Sequence, residues 1–421
     1  MKLIVGLFST AVVIAGLFLF AIGPKEVAVG QPINSKQQGG MIVSSTSPNA
    51  FTTTSTPALS SDGPNDKPLS NPPSEIRAIY LTGWSAGLRK KVDYLKKLAA
   101  ETEINAVVID IKDYSGDLSY ATNIPEVIDS KAGTIPKIAR PNDLLKELHE
   151  AGIYVIGRVS VFQDSTLAKA HPEWALKQGS STALWKDQKG LAWMDTAAPP
   201  VWDYNIAVAK DALNRGFDEI NFDYVRFASD GNLSKIGYPY WNKKTSRHEV
   251  LREFFKYTRE KLPNARLSAD LFGLTTINND DLGIGQIIED AYRYFDYVAP
   301  MVYPSHYANG FLGFKNPAEH PYEVIKYSME QALKKMKVLE ASMAAGVASS
   351  SPQMTASIRP LAKLRPWFQD FNLGATYNGP MIREQIIAFQ AVASTSPASF
   401  NGWMMWSPSN NYNVGAFQPE K

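Results

Sequence analysis

Cysteine is absent from this chain of 421 residues, which excludes disulfide bonds, zinc–thiolate sites and cysteine nucleophiles. Histidine is scarce, and none of its five copies forms an H-x-H or H-E-x-x-H pair, which argues against a histidine-rich metal hydrolase. The sequence also contains no D-x-D-x-D-G loop that would indicate a calcium site. We therefore expect neither a metal ion nor a cofactor.

A strong net charge is lacking too. The formal net charge is +2, so we expect no nucleic-acid partner. The composition is otherwise that of a globular protein, with 44% hydrophobic and 20% charged residues. Aromatic residues make up 11% of the chain. Most of them must fill a core, but this abundance also suits stacking against the rings of a carbohydrate substrate.

An apolar segment near the N-terminus extends from Leu3 to Ile22 and follows Lys2. About 20 apolar residues can cross a bilayer as a helix, so residues 1–23 are predicted to be a signal anchor or a signal peptide. Ala21-Ile22-Gly23 has the small-x-small form of a cleavage site, but Pro24 follows it. This proline favours a retained membrane anchor over secretion after cleavage, and both predict an extracytoplasmic protein.

Residues 24–74 are rich in Ser, Thr, Pro, Asn and Gly and have little apolar periodicity. Such a segment buries too little apolar surface to offset its ordering entropy, so it is predicted to be a flexible linker. Residues 75–421 then form the folded domain.

The sequence pattern changes after Glu75: short apolar runs alternate with segments in which apolar residues recur at helical spacing. Strands buried on both faces and alternating with helices predict an α/β fold with a parallel sheet, and eight of them predict a (β/α)8 TIM barrel. A doubly wound open sheet is the alternative, but no G-x-G-x-x-G follows the first strand. The predicted strands are residues 76–82, 104–112, 153–162, 217–227, 266–272, 297–303, 365–371 and 402–407.

Two segments fit a plain barrel less well. Residues 168–200 form a long connection between strands three and four that contains Trp174, Trp185 and Trp193, and we expect it to cover the carboxyl-terminal face. Only about 14 residues follow strand eight, too few for a complete eighth outer helix.

Carboxylates recur near the predicted carboxyl ends of the strands, where the active site of such a barrel lies. Strand alternation places Asn221 and Asp223 on one face of strand four, and Asp270 on the neighbouring strand five. Strands about 4.8 Å apart could bring two carboxylates to the roughly 5–5.5 Å of a retaining glycosidase. Our hypothesis is that Asp223 is the nucleophile and Asp270 the acid/base.

Other side chains at the strand ends are predicted to bind the substrate, although Lys112 could instead neutralise a neighbouring aspartate in a structural ion pair. The predicted binding residues are Asp110, Lys112, Asp113, Arg158, Asn221, Arg226, Tyr303, His306, Gln369, Asp370 and Trp406.

The stretch GFDEINFDYVRF, residues 216–227, resembles the signature of a bacterial family of glycosyl hydrolase domains. Further matching stretches follow in the same order over nearly everything after residue 75, among them Ser268-Ala-Asp-Leu-Phe-Gly273 and the segment from Ala299 to Tyr307. The resemblance implies a (β/α)8 barrel and a carbohydrate substrate.

That family is similar by pattern to alpha-amylase-like barrels, whose nucleophile ends strand four and whose acid/base ends strand five. Carried over, these roles fall on Asp223 and Asp270. The chain departs from the amylase pattern in having Asp rather than Glu on strand five, and Gln369-Asp370 in place of a His-Asp pair on strand seven. We expect a glycoside hydrolase acting on a cell-surface or extracellular polysaccharide or glycoconjugate. The alternatives are a non-catalytic carbohydrate-binding barrel, and a hydrolase or lyase acting on another surface polymer.

Overall fold

The computed structural model describes residues 62–348 and 359–419. The predicted anchor, residues 1–23, and the predicted linker up to residue 61 lie outside the described residues. Within the described part of the chain, no helix is both long and apolar enough to cross a membrane.

Eight parallel strands close into a barrel, so the open-sheet alternative is wrong. Each strand pairs with the next in sequence, and β8 returns to β1 with Gly402 opposite Ile76. The seventh strand is interrupted at Pro366, which has no N–H to donate. Lys363–Leu364 before this proline and Trp367–Gln369 after it both pair with the sixth strand, Tyr297–Met301. The strands are β1 Ile76–Leu81, β2 Ala106–Lys112, β3 Tyr154–Ser160, β4 Glu219–Asp223, β5 Leu267–Phe272, β6 Tyr297–Met301, β7 Trp367–Gln369 and β8 Gly402–Trp406.

The longer helices lie outside the barrel and run back between successive strands, whereas short helices such as the four-residue Gly83–Ala86 belong to the loops that precede them. Only a short 3-10 turn, Val414–Ala416, follows β8 among the residues described, as the short C-terminal segment predicted. The helices are α1 Gly83–Ala86, α2 Arg89–Glu101, α3 Pro125–Ser130, α4 Pro141–Glu150, α5 Ser165–Ala170, α6 Pro199–Arg215, α7 Arg247–Lys261, α8 Ile288–Tyr292, α9 Pro321–Ala348 and α10 Gly379–Ala393.

Local sequence signals explain the ends of the longer helices. Helix α7 starts at a capping box, in which Ser246 and Glu249 each accept the other's backbone N–H. Helix α6 starts with proline at its first turn and ends at Gly216, whose φ of 114° lies in the left-handed region that glycine adopts without strain. These signals place α6 and α7 on either side of β4, the strand that carries Asp223.

Two separate apolar clusters stabilise the barrel. The larger one joins the outward faces of the strands to the helices. The smaller one fills the barrel interior and includes Ala78, Val108, Ile156, Ala299 and Met404. The second cluster makes the interior a packed core and leaves room for polar side chains only at particular levels.

The long connection after β3 folds over the carboxyl ends of the strands, where the sequence predicted it. Its strand Lys177–Gln178 pairs antiparallel with Ile236–Gly237 from the connection after β4. Trp185 and Trp193 are buried, and Trp193 N–H donates to Asp187 at 3.0 Å. The two connections therefore form one cover beside the site.

Residues 62–74 differ from the flexible linker that the sequence predicted, because they pack against the barrel. The Asp66 N–H donates to the carbonyl of Arg215 at 3.0 Å, and the Leu69 N–H donates to Asp218 at 2.6 Å. Leu69 also packs against the apolar cluster inside the barrel. Polar composition alone did not reveal this, since one leucine makes the apolar contact and polar side chains such as Asp62 and Asp66 make most of the others.

Candidate active site

A single guanidinium, that of Arg158 on β3, joins the carboxylates at the carboxyl end of the barrel. Its Nη1 donates to Asp110 on β2, and both its Nη2 and its Nε donate to Oδ2 of Asp223 on β4, the latter at 3.2 Å. The same Nε lies 3.8 Å from Oδ2 of Asp270 on β5. Four neighbouring strands thus bring together four residues that the sequence predicted for the site.

Asp270 is the most deeply enclosed member of this cluster, with 1% of its surface exposed. Burial raises the pKa of Asp270 well above its ordinary value, and the charge of Asp223 raises it further. Asn221 Nδ2 and the Trp367 indole N–H both donate to Oδ1, at 2.8 and 2.7 Å. These donors occupy Oδ1, so Oδ2 is the oxygen on which a proton fits.

Asp110 also contacts a second group, since the hydroxyl of Tyr80 donates to its Oδ2. Burial raises the pKa of Asp110, while Arg158 and Tyr80 oppose that shift. Tyr80 and Trp367 were not predicted from the sequence. Alternation could have placed both on inward faces, because Tyr80 follows Ala78 by two residues on β1, and Trp367 at the start of β7 follows the inward-facing Arg365 by two residues.

The inward face of β4 carries polar residues at three levels of the barrel. Glu219 at the bottom is bonded to Arg365, and Asn221 in the middle bridges Ser268 and Asp270. Asp223 ends the strand at the top, where its Oδ1 accepts the N–H of Tyr224. Tyr224 has a φ of 52°, a left-handed conformation that is uncommon for a non-glycine residue and turns the chain directly after Asp223.

Aromatic rings form one wall beside the carboxylates. Tyr303 stacks on Trp406 with ring centres 5.8 Å apart, and Phe371 meets the edge of both rings. Burial raises the pKa of the Tyr303 hydroxyl, and the charges of Asp270 and Asp223 add to this effect. His306 packs edge-on against Tyr303, and burial lowers its pKa to about 4, so it is neutral at neutral pH. Trp406 is half-exposed and offers a ring face to a substrate.

The structure places Lys112 away from this cluster. A β-bulge between Asp110 and Lys112 reverses the expected alternation and turns Lys112 outward. Its ammonium group is fully buried, 2.7 Å from Asp164 and 4.8 Å from the ring centre of Tyr204 on α6. The prediction that Lys112 contacts substrate is therefore wrong. Lys112 forms a structural ion pair, and its partner is Asp164 and not Asp110 or Asp113.

Asp113 and Asp370 stabilise rim loops and do not join the Arg158 cluster. Asp113 pairs with Lys137 and accepts the N–H of Ser115 at 2.8 Å. Asp370 accepts both the backbone and side-chain N–H groups of Asn413, at 2.9 and 2.6 Å. These partners orient both carboxylates toward their own loops, which differs from the predicted substrate contacts.

Two further predicted residues are buried at the edge of the site. Gln369 is fully buried; its Oε1 accepts from Ser305 and its Nε2 donates to the carbonyl of Phe371, which ties the loops after β6 and β7 together. Arg226 lies under the cover, with its guanidinium 4.6 Å from the ring centre of Trp193. Its Nη1 donates to the carbonyl of Phe227 at 3.1 Å.

Metal ligation finds no support in the described ranges, where no group of three or more His, Asp or Glu side chains is arranged to hold an ion. The cluster around Arg158 instead suits acid/base and nucleophilic chemistry, because it sets one enclosed carboxyl of raised pKa beside two carboxylates to which Arg158 donates.

Comparison with known families agrees with this reading of the fold. Residues 78–412 match the model of a family described as "Putative glycosyl hydrolase domain". The chain belongs to this family. No curated protein sequence is significantly similar to it.

Solved structures to which this chain is similar include glycoside hydrolases. The glycoside hydrolase domain of PgaB (BpsB) from Bordetella bronchiseptica is 12% identical, with a TM-score of 0.53 over 83% of this chain and 100% of that one. A hypothetical protein from Ruminiclostridium thermocellum is 37% identical, with a TM-score of 0.43 over 49% of this chain and 98% of that one. An alpha-galactosidase from Thermus thermophilus is 14% identical, with a TM-score of 0.46 over 82% of this chain and 60% of that one.

Proposed function

We propose that this glycosyl hydrolase family member is a retaining glycoside hydrolase with Asp223 as nucleophile and Asp270 as acid/base. The observation that carries the proposal is the shared contact of both carboxylates with the Nε atom of Arg158. The two distances sum to 7.0 Å, which is the upper limit for the separation of the two Oδ2 atoms. This limit supports a retaining pair, which needs roughly 5–5.5 Å, over most of the roughly 6.5–9.5 Å range of inverting pairs.

Each residue has a distinct role in the proposed reaction. Asp270 gives its proton from Oδ2 to the glycosidic oxygen while Asp223 attacks the anomeric carbon, so the C–O bond breaks and a covalent glycosyl ester forms. Asp270, now ionised, takes a proton from water, whose oxygen attacks the same carbon and releases Asp223. Arg158 donates to Asp223 and positions it for the attack, and Trp406 offers its ring to the sugar.

The substrate is proposed to be a cell-surface or extracellular polysaccharide or glycoconjugate. This part of the proposal rests on the predicted extracytoplasmic location, which concerns residues outside the described range. With this location, the expected partners are the carbohydrate substrate and the membrane, which the N-terminal anchor would enter.

A non-catalytic carbohydrate-binding barrel is the second candidate, and one observation favours it. Asp223 is only 7% exposed and is ion-paired with Arg158, an arrangement that would also suit a structural carboxylate. A binding barrel would need the aromatic wall but not a free nucleophile.

Turnover by Asp223→Asn and Asp270→Asn, compared with the wild type, separates the candidates. We expect Asp223→Asn to lose activity on natural glycans and on aryl glycosides with a good leaving group, because no ester can form. Asp270→Asn should lose about 10²–10⁴-fold on natural glycans but retain the first step on activated aryl glycosides, which need no general acid. Added azide should rescue Asp270→Asn and give a glycosyl azide of retained configuration.

The matched control is Asp203→Asn on the outside of α6, where the carboxylate accepts the hydroxyl of Tyr257. It should turn over substrate like the wild type. Equal turnover by Asp223→Asn and the wild type would eliminate Asp223 as nucleophile. Glycan binding without turnover on a broad panel would establish the binding barrel instead.

A further inference from the structure

Two large aromatic side chains are exposed on the βα loops at the mouth of the barrel. Trp84, in α1 directly after β1, is 57% exposed, and Tyr114, directly after β2, is 49% exposed. The strands they follow are neighbours, with Leu81 opposite Ile109. Trp84 and Tyr114 therefore lie on loops that leave adjacent strands, at the carboxyl end where the carboxylates lie.

Trp84 is held outward by a tightly seated turn. Thr82 caps α1 by accepting the N–H of Ser85 at 3.1 Å. Gly83 presses against the end of β2 so closely that a Cβ atom there would lie 2.0 Å from the Ser119 hydroxyl oxygen. Because the backbone on both sides is fixed, a ligand that stacks on the exposed indole has to order only the side chain and not the loop.

Tyr114 connects this surface with the carboxylate cluster. Burial raises the pKa of its hydroxyl, and the nearby charges of Asp113 and Asp110 raise it further. Asp110 is bonded in turn to Tyr80, whose ring lies 6.5 Å from that of Trp406. Tyr114 is thus linked through Asp110 and Tyr80 to the aromatic wall beside Asp223 and Asp270.

We propose that Trp84 and Tyr114 form a distal sugar-binding subsite, which holds part of a pyranose chain away from the bond that is cleaved. The inference rests on the proposed function and narrows its substrate class to polymers or long oligosaccharides. Flat, uncharged rings match the apolar faces of pyranose units, while the acidic groups nearby can accept sugar hydroxyls. A small glycoside would fill only the carboxylate cluster and would not reach the two rings.

Binding of neutral hexasaccharides tests the subsite directly. Chitohexaose, cellohexaose and maltohexaose are titrated calorimetrically into Asp223→Asn protein, which should leave them uncut, with and without Trp84→Ala or Tyr114→Ala. We expect Kd for at least one chain to rise about tenfold with either change, which corresponds to about 1.4 kcal/mol. Trp84→Phe and Tyr114→Phe, which keep a ring, should restore most of the affinity.

Ile387→Ala is the control, because this exposed side chain lies on α10 on the outside of the barrel. It should leave hexasaccharide binding unchanged. None of these rim changes should alter turnover of an aryl monoglycoside in the otherwise wild-type protein. The subsite is refuted if the parent protein binds none of the three chains, or if the alanine variants bind them as the parent does. Binding that depends on Trp84 without turnover of any glycoside would refute the proposed enzyme and leave the subsite standing.

Discussion

The buried ion pair between Glu219 and Arg365 lends itself to a decisive stability measurement. Both side chains are fully buried in the barrel, and Arg365 Nη1 lies 2.8 and 3.0 Å from the two carboxylate oxygens. The guanidinium also donates to Asn401 and lies 3.7 Å from the ring centre of Tyr297. Glu219→Gln removes the charge and one of the two oxygens that accept from Arg365 Nη1, while the remaining amide oxygen can still accept the hydroxyl of Tyr154.

Loss of that charge leaves a guanidinium buried without a counter-ion, which typically costs about 3–5 kcal/mol. This is a large part of the 5–15 kcal/mol that commonly separates folded from unfolded domains. Arg365→Met should be similarly harmful, because it leaves the carboxylate unpaired. The double variant Glu219→Gln/Arg365→Met should lose less than the sum of the two single losses, by about 2–3 kcal/mol.

Equilibrium unfolding in urea, followed by tryptophan fluorescence and by circular dichroism, gives the free energies. The control is Glu330→Gln on α9, whose exposed pair with Lys326 should give no measurable change. A loss below about 1 kcal/mol for Glu219→Gln, with additive effects in the double variant, would refute the view that this pair is locked in a low-dielectric interior.

Three further outcomes follow from the titrating groups. The pKa of Asp270 is raised in the folded protein, so its contribution to the free energy of unfolding is present at low pH and lost as pH rises. The urea concentration at the unfolding midpoint should therefore be higher for Asp270→Asn than for the wild type above neutral pH, but not at acid pH. Trp367→Phe removes a donor that favours the charged form of Asp270, so the alkaline limb of a pH–rate profile should move to higher pH. Burial opposes protonation of His149, but Asp218 and Asp66 outweigh it and raise its pKa, so His149→Gln should destabilise the protein more at pH 6 than at pH 8 in urea titrations.

The strands could be predicted because their signals are local. Continuous apolar runs bounded by helix caps located all eight, and the first and last residues differ from the structure by at most two positions, except at the end of β4; β4 and β7 are the strands shortened at both ends by two or more residues. There the predicted runs 217–227 and 365–371 are longer than Glu219–Asp223 and Trp367–Gln369. The left-handed turn at Tyr224 and the break at Pro366 end the pairing earlier than apolar content implies.

The candidate site was predictable only as far as strict alternation holds. The alternation rule placed Asp223, Asn221 and Asp270 on inward faces, and the structure brings these three residues together. The same rule failed for Lys112, because one extra residue in the bulge reverses the side on which it points. Partners from distant strands, such as the donation from Trp367 to Asp270, depend on barrel closure, which no local pattern encodes.

The packing of Leu69 beneath the barrel limits where a shortened form of the protein can begin. The family match begins at residue 78 and the change in composition at residue 75, so either boundary would invite a start site that deletes Leu69 together with its bond to Asp218. Such a product would expose the apolar residues under Leu69 to water and leave Oδ1 of Asp218 without the Leu69 N–H, although its Oδ2 would still accept from Val155. A shortened protein that begins at or before Asp62 keeps Leu69 and its contacts.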